Sequence, residues 1–262
     1  MTSKSIPNAY EYLSWPEVKN IACQKRSTII WPFGAVEQHG PHLPLGTDSI
    51  FIEEIINEVL NLIPEDIPLK KMPTQYIGFS PEHSGFDGTI TLSSGLLTSM
   101  IVEIGKQISD IGFKRLILLN AHGGQISLLN TAARELRSLT PNLNIFPCFL
   151  WNGVKGLNEV LTESELENGL HASLAETSLM MSLKPEFVGD ERPCEGIPDN
   201  KPKGWSLEGD APTAWFTQDL SKSGVIGDSR GANIELGDEL RRLLVDHWYN
   251  MILTLMSSDW PN

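Results

Sequence analysis

Basic side chains and cysteine are scarce in this sequence, and long apolar runs are missing altogether. Lysine and arginine number 20 against 33 aspartates and glutamates, a formal net charge of -13. With no Lys/Arg block anywhere, the concentrated basic face that nucleic acid or an anionic membrane requires is absent. No apolar stretch approaches the ~18 residues of a membrane-spanning helix. Residues 1–10 lack the apolar core of a signal peptide. Cys23, Cys148 and Cys194 are odd in number, widely spaced and free of C-x-x-C spacing, which argues against a disulfide framework and fits thiols in a reducing cytoplasm. A Gly-x-Gly-x-x-Gly fingerprint is also missing, which counts against a nicotinamide partner. What remains is a soluble, cytoplasmic globular chain of 262 residues, long enough to bury a substantial core.

The chemistry gathers in residues 31–48. Ile29, Ile30, Trp31 and Phe33 read as the end of a buried strand, and metal-ligand side chains follow: Glu37, His39, His42 and Asp48. Glycines at 34, 40 and 46 and prolines at 41 and 44 break any regular element there. The polar groups therefore sit on an irregular loop at a strand end, where open α/β sheets place ligands. Imidazole and carboxylate together suit Zn, Mn, Fe or Ni.

Along the rest of the chain, Ser14 and Pro16 predict a helix start, with the helix running to about residue 25. A strand is expected over 27–33. A long helix opens at Asp48, whose carboxylate has a competing reading as a simple N-cap. A second strand is expected over 69–76 despite Pro73, followed by a Gly-rich polar loop, 78–91, that forms a cleft wall. Ser94 is expected to cap a helix reaching 111, with Leu96, Leu97, Ile101, Ile104 and Ile108 on its buried face. The run 115–120 is the clearest buried strand; Asn120, His122, Gly123 and Gly124 form a turn after it, and an amphipathic helix over 126–139 follows. Another strand covers 143–150. Glu163, Glu165 and Glu167 read as a solvated acidic face, ahead of His171 and Glu176. The stretch 184–233, rich in Pro, Gly and charge, reads as a lid or subunit contact within a single domain spanning 1–262, and a helix over 235–256 closes it.

Four segments in order, 36–42, 46–48, 120–124 and 171–178, resemble the creatininase family of metal-dependent amidohydrolases. The resemblance implies a three-layer α/β/α sandwich with a mostly parallel central sheet, two divalent metal ions per chain (Zn, Mn or Fe), a homohexamer, and a small-molecule amide-type substrate. Carried over by position, Glu37 and His122 would hold one ion and His39 the other, Asp48 would bridge, and Glu176 would complete the second ligand set. Creatinine-hydrolysing members carry Tyr and Glu at the places of Gly123 and Gly124, and a Trp and a Glu shortly before the motif His, where this chain has Glu167 and Leu170. Creatinine is therefore not the expected substrate.

The expected reaction is hydrolysis of a non-peptide C–N bond, as in a cyclic amide or formamide, by hydroxide held between the ions; metal binding lowers the pKa of water from 15.7 to about 7. His171 would carry the proton to the leaving nitrogen, and the Gly123 and Gly124 backbone would approach the substrate and its oxyanion closely. The alternatives are a non-catalytic metal-binding member, or a lyase or C–C hydrolase acting on a cyclic carbonyl compound.

Overall fold

Helix α1 (Trp15–Ala22) leads into β1 (Thr28–Phe33), α2 (Thr47–Leu62) into β2 (Leu69–Lys71), α3 (Ser94–Ile111) into β3 (Arg115–Asn120), and α4 (Ile126–Leu139) into β4 (Asn144–Phe149). The strands pair in parallel in the order β2–β1–β3–β4. Beyond them come α5 (Leu157–Val160), α6 (Glu163–Asn168), α7 (Leu174–Leu183), β5 (Cys194–Glu195), α8 (Thr217–Leu220), β6 (Gly227–Asp228) and α9 (Ile234–Ser257), with β5 and β6 forming a small antiparallel pair. The computed structural model describes residues 8–198, 201–209 and 211–261. The expectation for the N-terminus rests largely on residues 1–7, outside that range.

Every residue of β1 and β3 is buried, as it must be when helices cover both faces of a parallel sheet. Alternation along each strand sorts the side chains into two cores. Ile30, Ile117 and Leu119 face Phe51, Ile52 and Ile55 of α2, Leu179 and Met180 of α7, and Leu240, Leu244 and Trp248 of α9. Ile29, Trp31, Phe33, Leu116 and Leu118 face Ala22 of α1, Leu97 and Ile101 of α3, and Leu129 and Leu136 of α4. This is the α/β/α sandwich.

The predicted boundaries hold for β3 and α4 and shift elsewhere. The second strand is only Leu69–Lys71: Met72 N still donates to Ile30 O at 2.8 Å, and pairing resumes past Pro73 with one extra residue, where Gln75 N donates to Pro32 O at 2.9 Å. Ser93, not Ser94, caps α3 by accepting from Leu96 N. Leu96 is exposed, and Gly105 takes its place on the buried face, pressed against Leu136. Glu165 is buried rather than solvated: its carboxylate accepts from Ser173 Oγ at 2.6 Å and Ala175 N at 2.8 Å. It thereby satisfies free N–H groups at the start of α7, while Glu163 and Glu167 remain exposed.

Candidate metal centre and its pocket

From β1 the sheet grows outward to β2 on one side and to β3 on the other, so the carboxyl ends of β1 and β3 flank a topological switch point. After β1 the chain closes a loop through Glu37 N donating to Leu45 O at 2.9 Å. Gly34 lets the start of α2 press against that loop, since a Cβ there would lie 2.3 Å from Ser49 Oγ. This brings Asp48 beside Glu37 and His39. Gly46 occupies the N-cap position of α2, with Asp48 inside the first turn, so Asp48 is not a capping residue.

After β3, Asn120 holds the turn: its Nδ2 donates to His122 O at 2.6 Å and its Oδ1 accepts from His122 N at 3.0 Å. Gln125 ties the turn to the β1 loop, donating to Gly34 O at 3.0 Å, and to the 78–91 loop, accepting from Phe79 N at 3.1 Å. His122 is thereby directed at the carboxylates: Nδ1 is 3.2 Å from Glu37 Oε1 and 3.3 Å from Asp48 Oδ2. Its other nitrogen, Nε2, faces Phe79 O at 3.1 Å and Glu82 Oε1 at 3.2 Å.

His39 and His171 complete the floor. His39 Nδ1 donates to Glu37 O at 3.2 Å, which leaves Nε2 3.6 Å from Asp48 Oδ1. His171 Nε2 donates to Gln38 O at 2.7 Å, which leaves Nδ1 3.8 Å from Glu37 Oε1. The His39 and His171 rings lie 4.3 Å apart. Ala172, next along the chain, adopts a left-handed φ of 50° and donates its N–H to Glu176 Oε2 at 2.6 Å. Backbone strain of this kind gathers at functional sites, and here it seats Glu176 near His39 and His171. Three groups of side chains are close enough to share an ion: Glu37, His39 and Asp48; His39, His171 and Glu176; and Glu37, His83 and His171.

The electrostatics follow from burial and mutual charge. Burial alone would lower His39, but Asp48 and Glu37 outweigh it and push it up to about 9. His122 is likewise raised, against its burial, by Glu37 and Asp48. Burial raises Glu37, and it pushes Glu176 up to about 7 although His39 pulls the other way. Asp48 goes down, because His39 and His122 overcome its desolvation. Burial and neighbouring imidazoles lower His83 and His171, keeping both neutral.

The residues fit a divalent cation. Both carboxylate oxygens of Glu37, Asp48 Oδ2 and His39 Nε2 are buried without a hydrogen-bond partner. Unpaired buried polar atoms are costly, and four of them converging in one place form a ligand set for a hard or borderline cation.

Of the side chains expected from the sequence, the fold brings Glu37, His39, Asp48, His122, His171 and Glu176 together. His42 is not among them: its Nε2 bonds Thr177 Oγ1 at 2.8 Å, and burial holds it at about 4. Gly123 and Gly124 line a cavity of about 340 Å³ above the floor, walled by Phe149, Trp151, Leu161, Leu166, Leu170 and Trp215. Gly124 has no room for a side chain, since a Cβ would lie 1.7 Å from Glu82 Oε1. Sequence reasoning missed His83, whose Nε2 lies 3.4 Å from Glu37 Oε1, and the contact of Glu82 with His122. The only signal was an acid and an imidazole side by side in the Gly-rich 78–91 loop.

The creatininase family profile, described as creatinine amidohydrolase, matches residues 11–252. The chain belongs to the creatininase family. It is 29% identical over 233 residues to the mycofactocin precursor peptide peptidase of Mycobacterium tuberculosis, covering 84% of this chain and 82% of that one. It is 28% identical over 204 residues to the creatinine amidohydrolase of Pseudomonas putida, covering 72% and 77%. A solved creatininase mutant complexed with creatine superposes with a TM-score of 0.74 at 23% identity, covering 96% of this chain and 99% of that one. Other solved creatininases are Mn and Zn–Zn forms. As a creatininase-family member the chain is a hydrolase, and its buried His/Glu/Asp cluster is a candidate metal site.

Proposed function

We propose that this protein hydrolyses the amide C–N bond of a small substrate other than creatinine, with two divalent ions (Zn, Mn or Fe) at the cluster. The observation that carries the reading is the convergence of buried, unpartnered ligand atoms of Glu37, His39 and Asp48 on the cavity floor. Glu37 and His122 would hold one ion, His39 and Glu176 the other, and Asp48 would serve both. Such ions, when bound, supply a water nucleophile of lowered pKa and polarise the substrate carbonyl.

His171 moves the proton. Its Nε2–H is committed to Gln38 O, so Nδ1 presents a lone pair to the floor, where it takes a proton and returns it to the departing nitrogen. The bare backbone at Gly123 and Gly124 gives the scissile group room, and the apolar wall receives an apolar substituent of the substrate while excluding water. The M. tuberculosis relative, named as a peptidase, supports a substrate beyond creatinine. The reading also takes the protein as cytoplasmic and as a homohexamer, with exposed Tyr12, Trp15 and Trp260 as contact candidates.

The test is elemental analysis of protein purified without chelator, then a screen of formamides, cyclic amides, short peptides and creatinine for amine or formate release. Close to two ions per chain, loss of turnover on chelation and poor creatinine turnover are expected. Metal-free protein that Mn, Zn and Fe all fail to activate would defeat the reading. Efficient creatinine turnover would defeat its substrate part.

A further inference from the structure

Four imidazoles meet at the floor, and three are wired alike. His39, His122 and His171 each direct one ring nitrogen at a backbone carbonyl, that of Glu37, Phe79 and Gln38 respectively. A carbonyl only accepts, so that nitrogen carries the proton and the other turns a lone pair to the centre, the arrangement of a metal ligand or a base.

His83 is wired in the opposite sense. Its Nδ1 lies 2.9 Å from Gln38 Nε2. The orientation of the Gln38 amide is fixed by two backbone groups: Oε1 accepts from Gly40 N at 2.9 Å, and Nε2 donates to Gly224 O at 3.1 Å. Flipping the amide would set donor against donor and acceptor against acceptor. Nε2 of Gln38 is therefore a donor, and His83 Nδ1 must accept. Thr217 Oγ1 lies 2.7 Å from the same Nδ1 and 3.1 Å from Glu82 O; it agrees with the assignment by giving its single hydroxyl proton to Nδ1, the nearer partner. The neutral ring then carries its proton on Nε2, which points toward Glu37 Oε1 at 3.4 Å and lines the cavity.

We propose that His83 is a neutral hydrogen-bond donor rather than a metal ligand, and that its Nε2–H binds the substrate carbonyl oxygen as negative charge develops there. The His83 ring stacks on His171 at 4.1 Å and 28°. A donor and a lone-pair acceptor thus stand side by side on the floor, matched to the oxygen and the nitrogen of one amide. No proton leaves His83; its bond to oxygen strengthens as the carbonyl carbon becomes tetrahedral.

The inference rests on the amide-hydrolysis reading, and the test separates the two. Histidine-¹⁵N NMR of the zinc-loaded protein reports which nitrogen of His83 is protonated. Nε2–H, unchanged from about pH 6 to about pH 9, is expected, with Gln38→Glu moving the proton to Nδ1 by offering an acceptor. His83→Leu should keep its full zinc content and lose about 10²–10³-fold in kcat on the best amide of the screen, with KM little changed. His83→Gln, which keeps an N–H near the same place, should recover at least about tenfold of that loss. An Nδ1–H tautomer in the unaltered protein, or loss of zinc from His83→Leu, would overturn the proposal; should that variant not fold, Gln38→Glu decides through the tautomer and kcat. If the unaltered protein hydrolyses no amide, the amide-hydrolysis reading fails, while the tautomer and zinc content still decide between donor and ligand.

Discussion

Removing the Glu82 carboxylate should weaken metal binding without removing a ligand. Its Oε1 lies 3.2 Å from His122 Nε2, the nitrogen turned away from Glu37 and Asp48. A carboxylate behind a ligating imidazole fixes its orientation and raises its basicity, and losing such a partner typically weakens metal affinity 10–100-fold. Phe79 O, 3.1 Å from the same nitrogen, survives the substitution and keeps the tautomer. The loss in Glu82→Ala should therefore be near the lower end, about tenfold or roughly 1.4 kcal/mol. Glu82→Gln, which keeps an acceptor but no charge, should lose less. Gly124 supplies a cross-check. Its added Cβ would lie 1.7 Å from Glu82 Oε1 and 2.7 Å from His122 Nε2. Gly124→Ala must evict the carboxylate, so it should weaken metal binding in the parent and do less further harm in the Glu82→Ala background. Competition against a chromophoric chelator at fixed pH measures the parent and the four variants. Affinity within about twofold of the parent in Glu82→Ala would refute the reasoning, and a loss beyond about a thousandfold would make Glu82 itself a ligand.

Alanine at Asp48 should lower metal content more than alanine at Glu37, His39 or His122, since a shared carboxylate serves both ions; equal losses by elemental analysis would count against bridging. His171→Ala should retain both ions yet lose roughly 10²–10⁴-fold in turnover, and an ion-free variant would make His171 a ligand. Without metal, His39 holds its proton up to about pH 9 and Glu176 up to about pH 7. Metal must displace those protons, so apparent affinity should climb as pH rises toward about 9, most steeply below about 7; a flat profile would contradict the shifts. Arg115, 2% exposed, donates to Leu255 O, Ser258 O and Trp260 O. Arg115→Met removes three hydrogen bonds made by a buried guanidinium and should lower stability by about 2–4 kcal/mol, read by denaturant melts, with turnover per folded molecule retained.

Local sequence decides an element when one interaction outweighs the rest. The unbroken apolar run of β3 and the Gly-Gly turn after it leave one reading, and both β3 and α4 fall where the sequence puts them. Buried strands alternating with amphipathic helices are legible in the pattern, while the three-layer sandwich was what the family resemblance implied. Where two local interactions compete, the outcome shifts. The strand expected over 69–76 stops at Lys71, and its pairing with β1 slips by one residue around Pro73 and Thr74. Glu165 looked no different from Glu163 and Glu167, and only the arrival of the α7 N-terminus gave its carboxylate donors worth being buried for.

The centre divides along the same line. Sequence by itself determined that Glu37 and His39 follow β1, that Asp48 opens the next helix, and that His122 follows β3, because each is tied to a strand or helix end that local patterning locates. Which imidazoles turn inward was decided by tertiary structure. His42 and His83 both sit in glycine-rich loops, yet Thr177 holds one outside the cluster while Gln38 and Thr217 hold the other inside it. Protonation was decided there too. His39 takes its assignment locally from the Glu37 carbonyl, but the Gln38 carbonyl reaches His171, the Gln38 side-chain amide reaches His83 and the Phe79 carbonyl reaches His122 across long stretches of chain, so those three rings are assigned donor or acceptor only once the loops have closed on one another.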